Sequence, residues 1–95
     1  MFVVLLKFSD NKSQASELMD GHRQWLTRGF DDGVFLVAGS LEPGLGGAIL
    51  AHDTTLNDLQ TRVGEDPFVE HNVVVAEMIE VAPARADERL SFLLG

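Results

Sequence analysis

Two side chains in this sequence are of types that together can move a proton, His22 and Asp66. Histidine is the side chain whose ordinary titration falls nearest neutrality, which suits it to general base or general acid work. A carboxylate beside it fixes the tautomer and stabilises the imidazolium that forms. His22 follows Leu18 by four residues and precedes Trp25 by three, so helical spacing sets it on an apolar stripe that faces inward. Read structurally, it is a core histidine satisfied by a carbonyl or water. Read chemically, it is a base held in an apolar setting. Gly21, just before it, weakens a helix interior by about 1 kcal/mol relative to alanine, which points to close packing or to room for a ligand.

Asp66 stands in "GEDPFVEHN", residues 64 to 72. Asp followed by Pro is a helix-start signal: the carboxylate accepts from the first free N–H groups, and Pro67 takes the position where a missing donor costs nothing. Phe68 then drops into the core as the anchor of the turn. Backbone donors at a helix start favour the charged form of a capping carboxylate, and the charged form orients a histidine better than it donates a proton. The same segment can be read as a cap and nothing more.

Other chemistry-bearing residues are weaker. His52 and His71 fall near strand ends and share no metal-ligand spacing with His22, so no metal is expected. Gly44, Gly46 and Gly47 lie in a hairpin and not between a strand and a helix, which reads as a turn and not as a phosphate cradle. Ser40 lacks a G-x-S-x-G setting and is at most a pocket hydroxyl. With Trp25 and Phe68 it completes an expected substrate-binding set, although Trp25 and Met19 also fit a simple core role.

The elements that must position these groups follow from the hydrophobic pattern. "FVVLLKF" (2 to 8) reads as a strand, and residues 13 to 31 as a helix with Ser13 or a neighbour as its cap and Gly33 as its stop. Runs 34 to 40 and 47 to 52 form a hairpin, and Leu56, Leu59 and Val63 mark a short helix opened by Thr55 with Asp58 and ended by Gly64. Residues 72 to 81 make the last strand, closed by Pro83. The order is βαββαβ, an α+β, ferredoxin-like arrangement with an antiparallel sheet. Right-handed crossovers put both helices on one face of that sheet. Yet both faces are apolar: Phe2, Val4, Leu6 and Phe8 oppose Val3 and Leu5, while Val73, Val75, Ile79 and Val81 oppose Val74, Ala76 and Met78. The uncovered face calls for a second copy, since leaving such side chains in water forgoes roughly 1.5 to 3 kcal/mol each.

The composition agrees with one small globular domain: 95 residues, 45% hydrophobic, 23% charged. Fifteen acidic and seven basic residues leave a net charge of −8, and the basic ones are scattered, which argues against nucleic acid and anionic membranes as partners. The chain has no cysteine, hence no disulfide framework or thiolate metal site. The opening apolar run is short and lacks a basic flank, so it reads as a strand and not a signal peptide, and no run is long enough to span a membrane. A cytoplasmic protein is expected.

The chain resembles the YciI-like family (YCII-related domain) of small proteins. The likeness covers roughly residues 1 to 82 and rests on "MFVVLLKF", "HRQWL", "GVFLVAGSLEP", "GGAILA" and "EDPF" in that order. Residues 83 to 95 form a tail with no matching motif, expected to dock on the partner subunit or to fray. The resemblance implies a dimeric α+β barrel of ferredoxin-like subunits and a His and Asp with enzymatic work, matched here by His22 and Asp66. One branch of the family is similar to dehydrochlorinases acting on chlorinated hydroxyhydroquinones. Related barrels include muconolactone isomerases and cofactor-free monooxygenases. The expectation is a cofactor-independent enzyme using His22 and Asp66 for proton transfer, isomerisation or elimination on a small aromatic or enolisable molecule. The alternative is a module that binds a small molecule or a protein without turnover. The two part on geometry: a His22 ring and Asp66 carboxylate far apart, with no cavity beside them, favour the module.

Overall fold

The computed structural model describes residues 1 to 95. Strand β1 (Phe2–Phe8) leads through a 3-10 turn at Lys12–Gln14 into helix α1 (Ala15–Asp31). Strands β2 (Phe35–Leu41) and β3 (Gly46–Ala51) make the hairpin, followed by helix α2 (Leu56–Gly64), the single-turn helix α3 (Pro67–Glu70) and strand β4 (Val74–Glu80). The strands form one antiparallel sheet in the order β2-β3-β1-β4, which is the ferredoxin-like topology the element order called for.

The local signals act as their chemistry dictates. Gly33 ends the α1 turn at φ +74, and the Thr55 hydroxyl accepts from the Asp58 N–H at the start of α2. Gly46 must be glycine twice over: its φ is +135, and an added Cβ would collide with the Leu6 carbonyl of the neighbouring strand. One expected device is absent. No side chain caps α1; the 3-10 turn feeds it instead, with Gln14 N donating to Asn11 O at 2.9 Å and Ala15 N donating to Lys12 O. Ser13 lies within that turn, and i to i+3 backbone bonding supplies what a cap would have supplied.

All the helices pack on one face of the sheet. The core joins Phe2, Val4 and Leu6 of β1, Phe35, Ile49 and Ala51 of the hairpin, and Trp25, Leu59, Val63 and Phe68 from the helices. Gly29 lets α1 approach β2 closely, since a Cβ there would run into the Phe35 ring. A bulge between Phe35 and Val37 then restores the alternation along β2, so Ala38 and Ser40 face the helices while Val37 and Gly39 face away. The opposite face presents Val3 and Leu5, half-buried, beside exposed Val37, Val75 and Ile79. Val73 departs from its expected place on that face. It precedes β4, is fully buried, and is held by Val73 N donating to Phe68 O and Ser9 N donating to Val73 O, both at 2.9 Å. Strand alternation does not extend into the turn that leaves Phe68.

The tail from 83 onward ends in a 3-10 segment, Glu88–Leu94. Arg89 donates to the Asp87 carboxylate from its side chain at 3.0 Å and from its backbone N–H at 2.9 Å, and these bonds hold that carboxyl below its ordinary range. Phe92 meets His52 edge to face at 5.5 Å, while Leu90, Phe92 and Leu94 remain largely exposed. No helix is long and apolar enough to cross a membrane.

Candidate functional site

The Asp-Pro start of α3 folds as a cap: the Asp66 carboxylate Oδ1 accepts from the Phe68 N–H at 3.0 Å, with Pro67 in the first helical turn. The same Oδ1 accepts from His22 Nδ1 at 2.8 Å, across 44 residues of sequence. Gly21 makes that reach possible. A Cβ at position 21 would stand 3.1 Å from Pro67 Cγ, so the missing side chain lets α1 and α3 close on each other where His22 and Asp66 meet. Close packing, and not space for a ligand, accounts for a glycine inside this helix.

Asp66 is completely buried, and its second oxygen, Oδ2, has no hydrogen-bond partner. An anion removed from water needs opposite charge or donors, and here it has one backbone N–H and one imidazole. A carboxylate only accepts, so His22 must present Nδ1–H to it. That tautomer leaves the Nε2 lone pair free, and Nε2 makes no hydrogen bond to the protein.

The imidazole is fixed in its plane as well as along its edge. Phe68 lies on it face to face, with ring centroids 4.0 Å apart and planes 4° from parallel, and Trp25 stacks at 5.7 Å. The His22 side chain keeps 14% of its surface accessible. That surface opens on two adjoining cavities of about 210 and 240 Å³ between α1 and the sheet, which share Leu6, His22, Gly39, Ser40 and Gly47 in their walls. Leu26 walls the first, and Met19, Phe8 and Phe68 the second. Lys12 lies over the outer Phe8 ring, its Nζ 4.7 Å from the centroid, and brings a positive charge to that end.

The five site residues named from sequence therefore separate. His22 and Asp66 are in direct contact. Ser40 lies on the helix side of β2 and lines both cavities, and its exposed hydroxyl makes no hydrogen bond within the protein. Phe68 reaches one cavity, but most of its face is spent on the His22 ring. Trp25 reaches neither: it is 1% exposed, meets Phe35 edge to face at 5.1 Å and donates its indole N–H to the Arg62 carbonyl at 2.8 Å. Trp25 is core, the simpler of the two roles its spacing allowed. The cavity walls at Leu6, Met19, Leu26 and Gly47 were not singled out as site residues. Met19 and Leu26 carried a signal, since they flank His22 by three and four positions on one stripe.

The largest cleft of the molecule lies elsewhere, about 880 Å³ between the end of α1 and α2, lined by Arg28, Asp32, Asp58, Thr61 and Arg62 among others. Its only hydrophobic wall residue is Val34, and an Arg62–Asp32 ion pair at 2.9 Å crosses it. Such a wet, charged trough keeps its ionisable groups in high dielectric and offers no imidazole. The smaller cavities combine an ionisable group with mostly apolar walls and open to solvent along β2, where Ala38, Gly39 and Ser40 are exposed. No three His, Asp or Glu side chains converge as a metal site.

No known family model matches the chain, and no curated protein matches it in sequence. Among solved structures it is similar to the 5-chloro-2-hydroxyhydroquinone dehydrochlorinase of Burkholderia phenoliruptrix AC1100, solved in complex with 2,5-dihydroxybenzoquinone. The TM-score is 0.68 at 13% identity, over 85% of this chain and 93% of that one. At such low identity the likeness speaks for the fold: an α+β, ferredoxin-like chain shares its architecture with an enzyme acting on a small ring compound.

Proposed function

We propose that this chain is a cofactor-independent enzyme of the YciI-like kind, in which His22 Nε2 takes or gives a proton on a compact hydroxylated ring bound between α1 and the sheet. The observation that carries this reading is the His22 Nδ1–Asp66 Oδ1 hydrogen bond of 2.8 Å beside an apolar cavity. Asp66 fixes the tautomer and stabilises the imidazolium formed when Nε2 accepts a proton. The pair released from a ring O–H or C–H then moves into the ring. The proton returns from Nε2 to a ring carbon, and the keto tautomer so formed is the isomerised product; where that carbon carries a leaving group, His22 takes a second ring O–H proton, the released pair forms a new C=C bond, and the group departs as an anion with its own C–X bonding pair. Ser40 supplies a hydroxyl to the same cavity, and Phe68 keeps the imidazole from turning.

The dehydrochlorinase likeness suggests hydroxyhydroquinones and hydroxyquinones as the first compounds to try. We further propose residues 1 to 82 as the folded unit and a homodimer formed through the uncovered sheet face. Exposed Val37, Val75 and Ile79 support the latter, with residues 83 to 95 docking on the partner. Cytoplasmic residence goes with this reading. A distant pair with no cavity favours a non-catalytic module; the His22–Asp66 contact and the cavities beside it support the enzyme.

The test is turnover of a panel of halogenated and unhalogenated hydroxyhydroquinones, followed by absorbance, for wild type, His22→Ala and Asp66→Asn. Turnover in wild type that vanishes in His22→Ala is expected. Equal turnover in His22→Ala removes the mechanism.

A further inference from the structure

Gly47 is the second residue of β3 and is paired with a strand on either side, a place where glycine weakens a sheet and needs a reason. The two usual reasons fail. Its φ is not in the left-handed region, and a Cβ built there meets only the Gly39 carbonyl, at an ordinary 3.4 Å. Gly46, one residue earlier, has both reasons, and Gly29 has a phenyl ring in the way. By register, Gly47 lies opposite Leu6 on β1 and Ser40 on β2, on the helix side of the sheet. It lines both cavities that open on His22. A side chain at 47 would therefore rise from the floor into the space below the imidazole. Nothing in the protein itself occupies that space.

We infer that Gly47 is a specificity-determining residue: its missing side chain sets the size of the ring that fits beneath His22, next to the Ser40 hydroxyl. This rests on the proposed site and names what that site admits, a single flat ring. Cavities of about 210 and 240 Å³ with Leu6 and Leu26 or Met19 as walls suit one ring with small substituents. Alanine at 47 takes the first methyl's worth of that space and leucine takes most of it, while the backbone is undisturbed. The strand should be no less stable in either form, since alanine and leucine both restrict the unfolded chain more than glycine does.

The experiment uses the full chain as wild type, Gly47→Ala and Gly47→Leu. Two probes are titrated, 2,5-dihydroxybenzoquinone and phenol, and binding is read from the His22 ring signals in ¹⁵N-histidine NMR. Melting temperatures are recorded alongside. The expected result is binding to wild type, weakened about tenfold in Gly47→Ala, in keeping with one added methyl in a filled pocket, and lost in Gly47→Leu, with melting temperatures no lower than wild type. Equal affinity for the quinone in all three forms overturns the role of Gly47 and leaves the proposed reaction standing. Phenol binding that is lost in Gly47→Leu, with no quinone binding anywhere, keeps the size role and removes the proposed substrate class. Wild-type His22 signals that move with neither probe overturn both.

Discussion

The polar trough and the hollow beside His22 invert the usual expectation that the largest opening is the working one. The trough at Arg28 and Arg62 is about four times the volume of the first cavity beside His22, 880 against 210 Å³, and is lined almost wholly by polar groups. Its arginine and aspartate face water, so their charges are screened and the ion pair between them is worth at most about 1 kcal/mol. The smaller space has one ionisable group in its wall, and that group is oriented by a wholly buried carboxylate and a stacked phenyl ring. A large opening is common at a surface; an imidazole held by a buried carboxylate beside mostly apolar walls is not. The contrast teaches that function here should follow the constraint on one imidazole and not the size of the opening.

That contrast can be broken by substitution on either side. The largest effect is expected from His22→Ala, which should lower turnover about 10²- to 10⁴-fold while circular dichroism stays unchanged. Asp66→Ala comes next and acts on two quantities, since it removes a cap and leaves the Nδ1–H of His22 without its acceptor. Denaturant unfolding should show a loss of about 2 to 4 kcal/mol, with turnover falling as well. Asp66→Asn keeps the shape and separates the two, with most of the stability retained and turnover down about 10²-fold.

Smaller effects sharpen the picture. Gly21→Ala gains about 1 kcal/mol of helix propensity but presses on Pro67, so its melting temperature should stay near wild type while turnover drops several-fold as the His22–Asp66 contact lengthens. A melting temperature that falls sharply would mean that Gly21 serves packing alone. At the polar trough, Arg62→Ala should leave turnover unchanged and cost no more than about 1 kcal/mol, because the Trp25 indole bonds to the Arg62 backbone carbonyl and not to its side chain. Loss of activity in that variant would move the site to the larger cleft.

How much of this was legible in the sequence divides along the range of the forces involved. Strand alternation, the Thr55 cap and the Asp66-Pro67 start are set by neighbours a few residues away, and all three could be read. The pairing of His22 with Asp66 was readable only as two suggestive residues plus a resemblance, since nothing local states that α1 and α3 touch. The Gly21–Pro67 contact that lets them do so is a matter of tenths of an ångström. Trp25 shows the limit from the other side. Helical spacing put it on the same stripe as His22, but the stripe faces both core and cavity, and only packing decides which residue meets which. Val73 was misplaced because a period of two was carried past the end of a strand, into a turn held by Phe68 and Ser9. The missing Ser13 cap has the same origin: a 3-10 turn can start a helix without any side chain, and no residue type announces it.

The central claim is that Asp66 holds His22 with its proton on Nδ1, so that Nε2 is the base facing the cavity. The most direct measurement is the ¹⁵N shift pair of the His22 ring near neutral pH, assigned by loss of its signals in His22→Ala. The account predicts an Nδ1-protonated, Nε2-unprotonated neutral ring in wild type, and a mixture of tautomers in Asp66→Asn. A neutral wild-type ring protonated on Nε2, unchanged by Asp66→Asn, would contradict it.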